Sequence, residues 1–141
     1  MYTKERYKLK KIVDKLFWVF FVLLGLYMLY NKGLILADFN SVKPNIAYEM
    51  IQKNDGNLTI LDVRTVEEFK KDGHIADAKL IPLHLLASNL KMLDTSKLIL
   101  VYCRSGSRSV SASRILTKNG FTVVNIRGGM IDWREEKLPI R

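Results

Sequence analysis

The chain has 141 residues, 48% of them hydrophobic, enough for one domain of ordinary size with a packed core. Lys and Arg number 23 against 14 Asp and Glu, and the formal charge of +9 points to nucleic acid, anionic lipid or a small anionic substrate without choosing among them. One cysteine excludes an intrachain disulfide and a multi-cysteine zinc site, and with only His74 and His84 besides, a structural metal is not expected.

Residues 1–15 hold six Lys or Arg and two acids, and the next fifteen, "LFWVFFVLLGLYMLY", carry no charge. Extended to Leu36, the segment 16–36 is 21 residues. As a helix it reaches about 31 Å, against a hydrocarbon core of about 30 Å. Lys32 then lies near one end, where it can snorkel, and Trp18, Tyr27 and Tyr30 suit the interface. A core helix in a domain this small would keep a polar face toward solvent, and this segment is apolar all round. A cleavable signal peptide is the stronger rival, but its best site, ending at Ala37, places bulky Ile35 where a small residue belongs. An uncleaved transmembrane helix is the expectation. Six basic residues before it outweigh Lys32 and Lys43 after it, so the N-terminus is expected in the cytoplasm and the rest outside it, periplasmic or extracellular.

Residues 37–45, "ADFNSVKPN", read as a short tether, with Pro44 placed to open a helix over "IAYEMIQKN" that "NDGN" ends. "LTILDV" is an apolar run bounded by turn signals, hence a buried strand. "TVEEFKK" has a Thr cap, acids in its first turn and lysines in its last, a helix that complements its own dipole. A short strand "AKLIPL" and a helix "LLASNLKML" follow. "KLILVY" is the clearest strand, "SRSVSASRILTKNG" a helix closed by Gly120, "FTVVNI" a strand, "RGG" a turn and "MIDWREE" a last short helix. Strands alternate with helices and are apolar on both faces, which predicts an α/β fold with a parallel sheet covered by helices on both sides.

Ligands bind such sheets at the carboxyl ends of the strands, where Cys103 stands, one step past "LILVY" and just before a helix. The first N–H groups of a helix lack internal partners and carry partial positive charge, and Arg104 and Arg108 add full charges. Together they favour a thiolate and an anionic ligand such as thiosulfate or phosphate. Gly106 permits a tight turn and close approach, Ser105 and Ser107 supply hydroxyls, and Ser107 and Ser109 are candidate helix caps. A lone cysteine after a strand is often only a small core hydrophobe. Arg, Gly and Arg within five residues argue instead for an electropositive, partly exposed thiol, a nucleophile at the base of an anion cradle.

With these segments the chain resembles the rhodanese (sulfurtransferase) family, over residues 39–139. The resemblance rests on an ordered set: "ILDVR" at Ile60–Arg64, "EEF" at Glu67–Phe69, "GHI" at Gly73–Ile75, "IPL" at Ile81–Leu83, "CRSGSRS" from Cys103, and "GGMIDW" at Gly128–Trp133. In "GHIADA", Asp77 stands where the family usually has Gly. The resemblance implies that Cys103 takes up sulfur as a persulfide, with Arg104, Ser105, Gly106, Ser107 and Arg108 completing the loop around it. It implies no cofactor and no metal. Asp62 and Arg64 read as a polar pair that holds the neighbouring loops, and His74 as ordering a turn. Gly128 and Gly129 read as backbone requirements, and Trp133 as packing under the last helix.

Cysteine phosphatases carry C-x5-R, whereas only four residues separate Cys103 from Arg108, leaving less room for a phosphoryl group. The expected function is therefore a membrane-anchored, thiosulfate sulfurtransferase-like enzyme, held in the membrane by residues 16–36. Its partners would be a small anionic sulfur donor and a thiol or protein acceptor. The alternative is a non-catalytic binding module that docks a membrane or exported partner. Nucleic acid is the weakest reading of the charge, because +4 of the +9 lies in the first forty residues.

Overall fold

The computed structural model describes residues 2–53 and 56–141, with side chains from Arg6 onward. Helix α1 (Tyr2–Asn31) is followed by β1 (Asn40–Val42), α2 (Pro44–Gln52), β2 (Leu58–Asp62), α3 (Val66–Lys71), β3 (Lys79–Leu80) and α4 (Leu83–Leu86). A 3-10 turn at Leu90–Met92 leads to β4 (Leu98–Tyr102), α5 (Ser107–Lys118), β5 (Val123–Ile126) and α6 (Gly129–Glu135). All strand pairs are parallel, in the order β1-β5-β4-β2-β3.

The expected α/β architecture is present, with apolar residues on both faces of the central strands as parallel sheets require. One layer joins Leu61, Val101 and Val123 to α4 and α5 through Leu86, Ala112 and Leu116. The other joins Ile60, Leu100 and Ile126 to α2 and α6 through Ala47, Met130 and Trp133. Trp133 belongs to the last helix itself, meets Tyr48 edge-on at 6.0 Å, and donates Nε1–H to the Pro139 carbonyl at 3.0 Å.

Four local readings are corrected. The first helix stops at Asn31 instead of continuing to Leu36, and extends back to Tyr2. Gly33 ends it: with φ +67 it donates its N–H to Tyr30 O, while Leu34 N–H reaches Leu29 O, a Schellman closure. The segment Arg6–Asn31 is still long and apolar enough to cross a membrane, and none of its most apolar window is buried within the protein. The presumed tether contains β1, which pairs with β5 at the sheet edge. The helix expected over "LLASNLKML" breaks into α4 and the 3-10 turn, where Asn89 turns its side-chain amide back onto Leu85 O at 2.8 Å. Strand β3 is only two residues long. The break at "NDGN" falls in part on Asn54 and Asp55, outside the described residues.

Asp77 has φ +61, the left-handed conformation that glycine adopts freely and Asp tolerates better than most residues, so the replacement of Gly leaves the turn intact.

Candidate active site

Strand β4 is buried through Tyr102, and the chain leaves it at Cys103, crosses Arg104–Gly106 and enters α5. Gly106 occupies the N-cap position with φ +95 and donates its backbone N–H to Cys103 Sγ at 3.1 Å. Neither expected serine caps the helix. Ser107 is already the first helical residue, and Ser109 donates its hydroxyl to Gly106 O at 3.0 Å, bracing the turn from the carbonyl side. The conformation needed at the cap is left-handed, which disfavours serine and which glycine adopts freely.

The loop is clasped from outside by α6. Met130 N–H donates to Cys103 O at 2.9 Å and Ile131 N–H to Arg104 O at 3.0 Å. These are N–H groups of the first turn of α6, which the helix itself leaves without partners. They tie two loop carbonyls to α6. Gly129 makes the approach possible: a Cβ there would lie 2.3 Å from Cys103 O.

The sulfur is not partly exposed, as its charged surroundings suggested. Cys103 has no accessible surface and packs with Val101, Ala112 and Leu61. The loop lies over it, with Arg104, Ser105 and Ser107 exposed and Gly106 buried. Arg108 is turned toward α3. Its Nη1 and Nη2 donate to the two carboxylate oxygens of Glu68 at 2.7 and 2.6 Å. This bidentate pair holds the Glu68 carboxyl down to about 2 and raises the Arg108 pKa. Glu68 is the residue that sequence reasoning missed. The T-x-x-E spacing with Thr65 marks it as a capping-box residue, and both capping bonds form. Its second partner lies 40 residues away and leaves no local signal.

Asp62 and Arg64 stand at the end of β2, both buried. Arg64 Nε and Nη2 donate to the Asp62 carboxylate at 2.7–3.0 Å, and Nη2 also donates to Gly73 O at 2.8 Å. Burial alone would lower the Arg64 pKa, but the hydrogen bonds and charge of Asp62 outweigh it and raise the value. Tyr102, whose hydroxyl accepts the Ile75 N–H at 3.2 Å, is pushed far up by burial and then by the Asp62 charge. The pair thus ties the β2 exit to the 73–75 turn. His74 exchanges backbone hydrogen bonds with Arg141, 2.8 Å each way, and its ring stacks on Phe69 with centroids 3.8 Å apart. Among the described residues, no group of three or more His, Cys, Asp or Glu side chains is placed to hold a metal ion.

A loop that aims an N–H at a cysteine sulfur, at the carboxyl end of a parallel strand, is suited to hold an anion beside a nucleophile. The "Rhodanese-like domain" family model matches residues 43–136. The chain is 36% identical over 85 residues to a sulfurtransferase of Allochromatium vinosum, covering 60% of this chain and 78% of that one. It is also 36% identical over 85 residues to a putative sulfurtransferase of Bacillus subtilis, covering 60% of this chain and 82% of its relative. A crystal structure of a rhodanese-related protein from Thermoplasma volcanium superposes with a TM-score of 0.67 at 33% identity, covering 73% of this chain and 98% of the other. With the family model spanning two thirds of the chain and these relatives in agreement, the chain belongs to the rhodanese-like domain family.

Proposed function

We propose that the protein is a sulfurtransferase that works through a Cys103 persulfide and is anchored to a membrane by its first helix. The observation that carries the reading is the Gly106 N–H aimed at Cys103 Sγ at 3.1 Å, in a loop whose Cys103 and Arg104 carbonyls are bonded to α6. The Cys103 thiolate attacks the outer sulfur of a donor such as thiosulfate. A new S–S bond forms, the old one breaks, and sulfite leaves with the bonding pair. An acceptor thiolate, or cyanide in an assay, then takes the outer sulfur and returns Cys103 as a thiolate. Loop N–H groups stabilise negative charge in both steps. The active-site loop in this reading is Cys103 to Arg108, with Asp62 and Arg64 supporting it. The six basic residues before the apolar segment favour an N-terminus in the cytoplasm and a domain outside it.

The test uses the full chain in detergent or lipid discs. Thiosulfate should add one sulfur to the peptide bearing Cys103, read by mass spectrometry, and sulfite should appear when cyanide is present. Cys103→Ala should keep the fold and accept no sulfur. Sulfur transfer surviving in that variant would sink the mechanism. The complete burial of Cys103 keeps a second reading in view, a binding module that never exposes its thiol. A wild type inert to every donor would select it.

A further inference from the structure

The first helix does more than end near the domain. Arg114 of α5 donates Nη2–H to Tyr30 O at 2.7 Å and sets its guanidinium 3.6 Å over the Tyr30 ring. Gly33 lies so close to Val110 and Phe39 that a Cβ there would be 3.0 and 3.3 Å from their side chains. Between this last turn and the cysteine loop lies a cavity of about 720 Å³. Its loop wall is Ser105, Gly106 and Ser107, and its helix wall includes Tyr27, Met28 and Lys32.

One group in this cavity is unfinished. Asn125 of β5 lines it and is 2% exposed; its Nδ2–H donates to Ser41 Oγ at 3.1 Å, while its Oδ1, buried just beneath the cavity wall, has no partner among the described residues. A buried amide oxygen is costly unless something donates to it. Thiosulfate and cyanide offer no N–H or O–H, and no apolar surface for Tyr27, Met28 and Val110. Both are also far smaller than a cavity of the size that ordinarily houses organic ligands. Lys32 and Arg127 bring two positive charges to the lining against the single carboxylate of Asp132, and among the described residues none of the three is ion-paired. The matching occupant is an organic anion with an apolar part and an N–H or O–H donor. Gly106 stands between the cavity and the sulfur: it lines the cavity, and its N–H donates to Cys103 Sγ, which the loop covers.

We propose that the cavity between the anchor and the loop binds the organic sulfur acceptor, a thiol carrying carboxylate and amide groups, with Asn125 receiving its N–H. The anchor's last turn is then a wall of the acceptor site. The acceptor thiolate attacks the outer sulfur of the Cys103 persulfide, the S–S bond breaks, Cys103 leaves as thiolate, and an organic persulfide departs. The identity of the ligand rests on the sulfurtransferase reading, whereas its binding can be measured without any transfer.

The experiment is calorimetric titration of the full chain, in phosphatidylcholine discs, with S-methylglutathione, which has the carboxylates and amide N–H groups but no free thiol. Saturable binding is expected. Asn125→Leu and Lys32→Gln should each weaken it about fivefold or more. Lys32 is exposed on the turn after α1, so its variant tests the site even if Asn125→Leu disturbs the fold. No binding by the wild type, or unchanged binding in the Lys32 variant, would overturn the proposal. Binding that disappears in phosphatidylglycerol discs would assign the cavity to lipid headgroups and overturn it equally. Binding that persists while Cys103 accepts no sulfur would retain the site and remove only the sulfurtransferase reading.

Discussion

The Asp62–Arg64 and Glu68–Arg108 pairs use the same two kinds of charge, with carboxylates six residues apart in the chain, yet are built differently. Asp62 and Arg64 are two residues apart, and their side chains are 0% and 1% exposed. Glu68 and Arg108 are 40 residues apart, and theirs are 19% and 34% exposed. The inner pair is a local strut that fixes the β2 exit against the 73–75 turn. The outer pair is a long-range tie from α3 to the first turn of α5, in contact with solvent and with the loop that carries the cysteine. Removing one partner of a fully buried pair strands a charge without water, whereas an exposed partner can be hydrated. The inner pair should therefore govern stability, and the outer pair the charge around the loop.

Arg64→Ala breaks the inner pair and should have the largest effect. It leaves the buried Asp62 without its counter-ion, at a cost of about 3–5 kcal/mol. For a domain of this size the melting temperature should fall by at least ~10 °C, followed by circular dichroism. A loss no larger than that of the outer pair would erase the distinction.

Glu68→Gln should cost less, about 1 kcal/mol, because the pair is partly solvated and glutamine can keep the capping box with Thr65. The same change frees the Arg108 guanidinium. A melting temperature lowered as much as by Arg64→Ala would show that the outer pair is also structural.

The smallest effect is in pH. Glu68 titrates at about 2 in the folded chain, below the ordinary 4.5, so its folded pKa is depressed. Its contribution should be complete above about pH 4.5 and lost as pH falls from there toward 2. The stability gap between wild type and Glu68→Gln should close over that window in a series of thermal melts. A gap that stays constant would mean that the pair does not act through charge.

What was legible in the sequence was what neighbouring residues decide. "LTILDV", "KLILVY" and "FTVVNI" announced buried strands because apolar runs on both faces have few other destinations. Thr65 announced a capped helix and Gly120 the end of α5, where Phe121 N–H closes onto Leu116 O at 3.1 Å. The cysteine loop stood out for its composition, and the ordered motifs led to the right family. Relations across the chain were not legible. Nothing local in "FNSV" says that β5 waits 84 residues downstream, and nothing in "EEF" says that Arg108 completes Glu68. Gly33 was a readable stop overlooked in favour of hydropathy. The burial of Cys103 went against its charged neighbours because the loop folds over the sulfur instead of opening beside it.

Strand order also sets a schedule. Among the described residues the first strand of the domain pairs only with the last, since β1 is at the edge and β5 is its neighbour. The cysteine loop waits on residues still later, Met130 and Ile131, for its clasp. A parallel sheet closed by such distant contacts folds slowly and cannot close early. During synthesis the thiol therefore belongs to an unfinished loop until α6 has emerged. If the domain crosses a membrane after its anchor, it makes that passage as an open chain, with the pieces that would lock it shut arriving last.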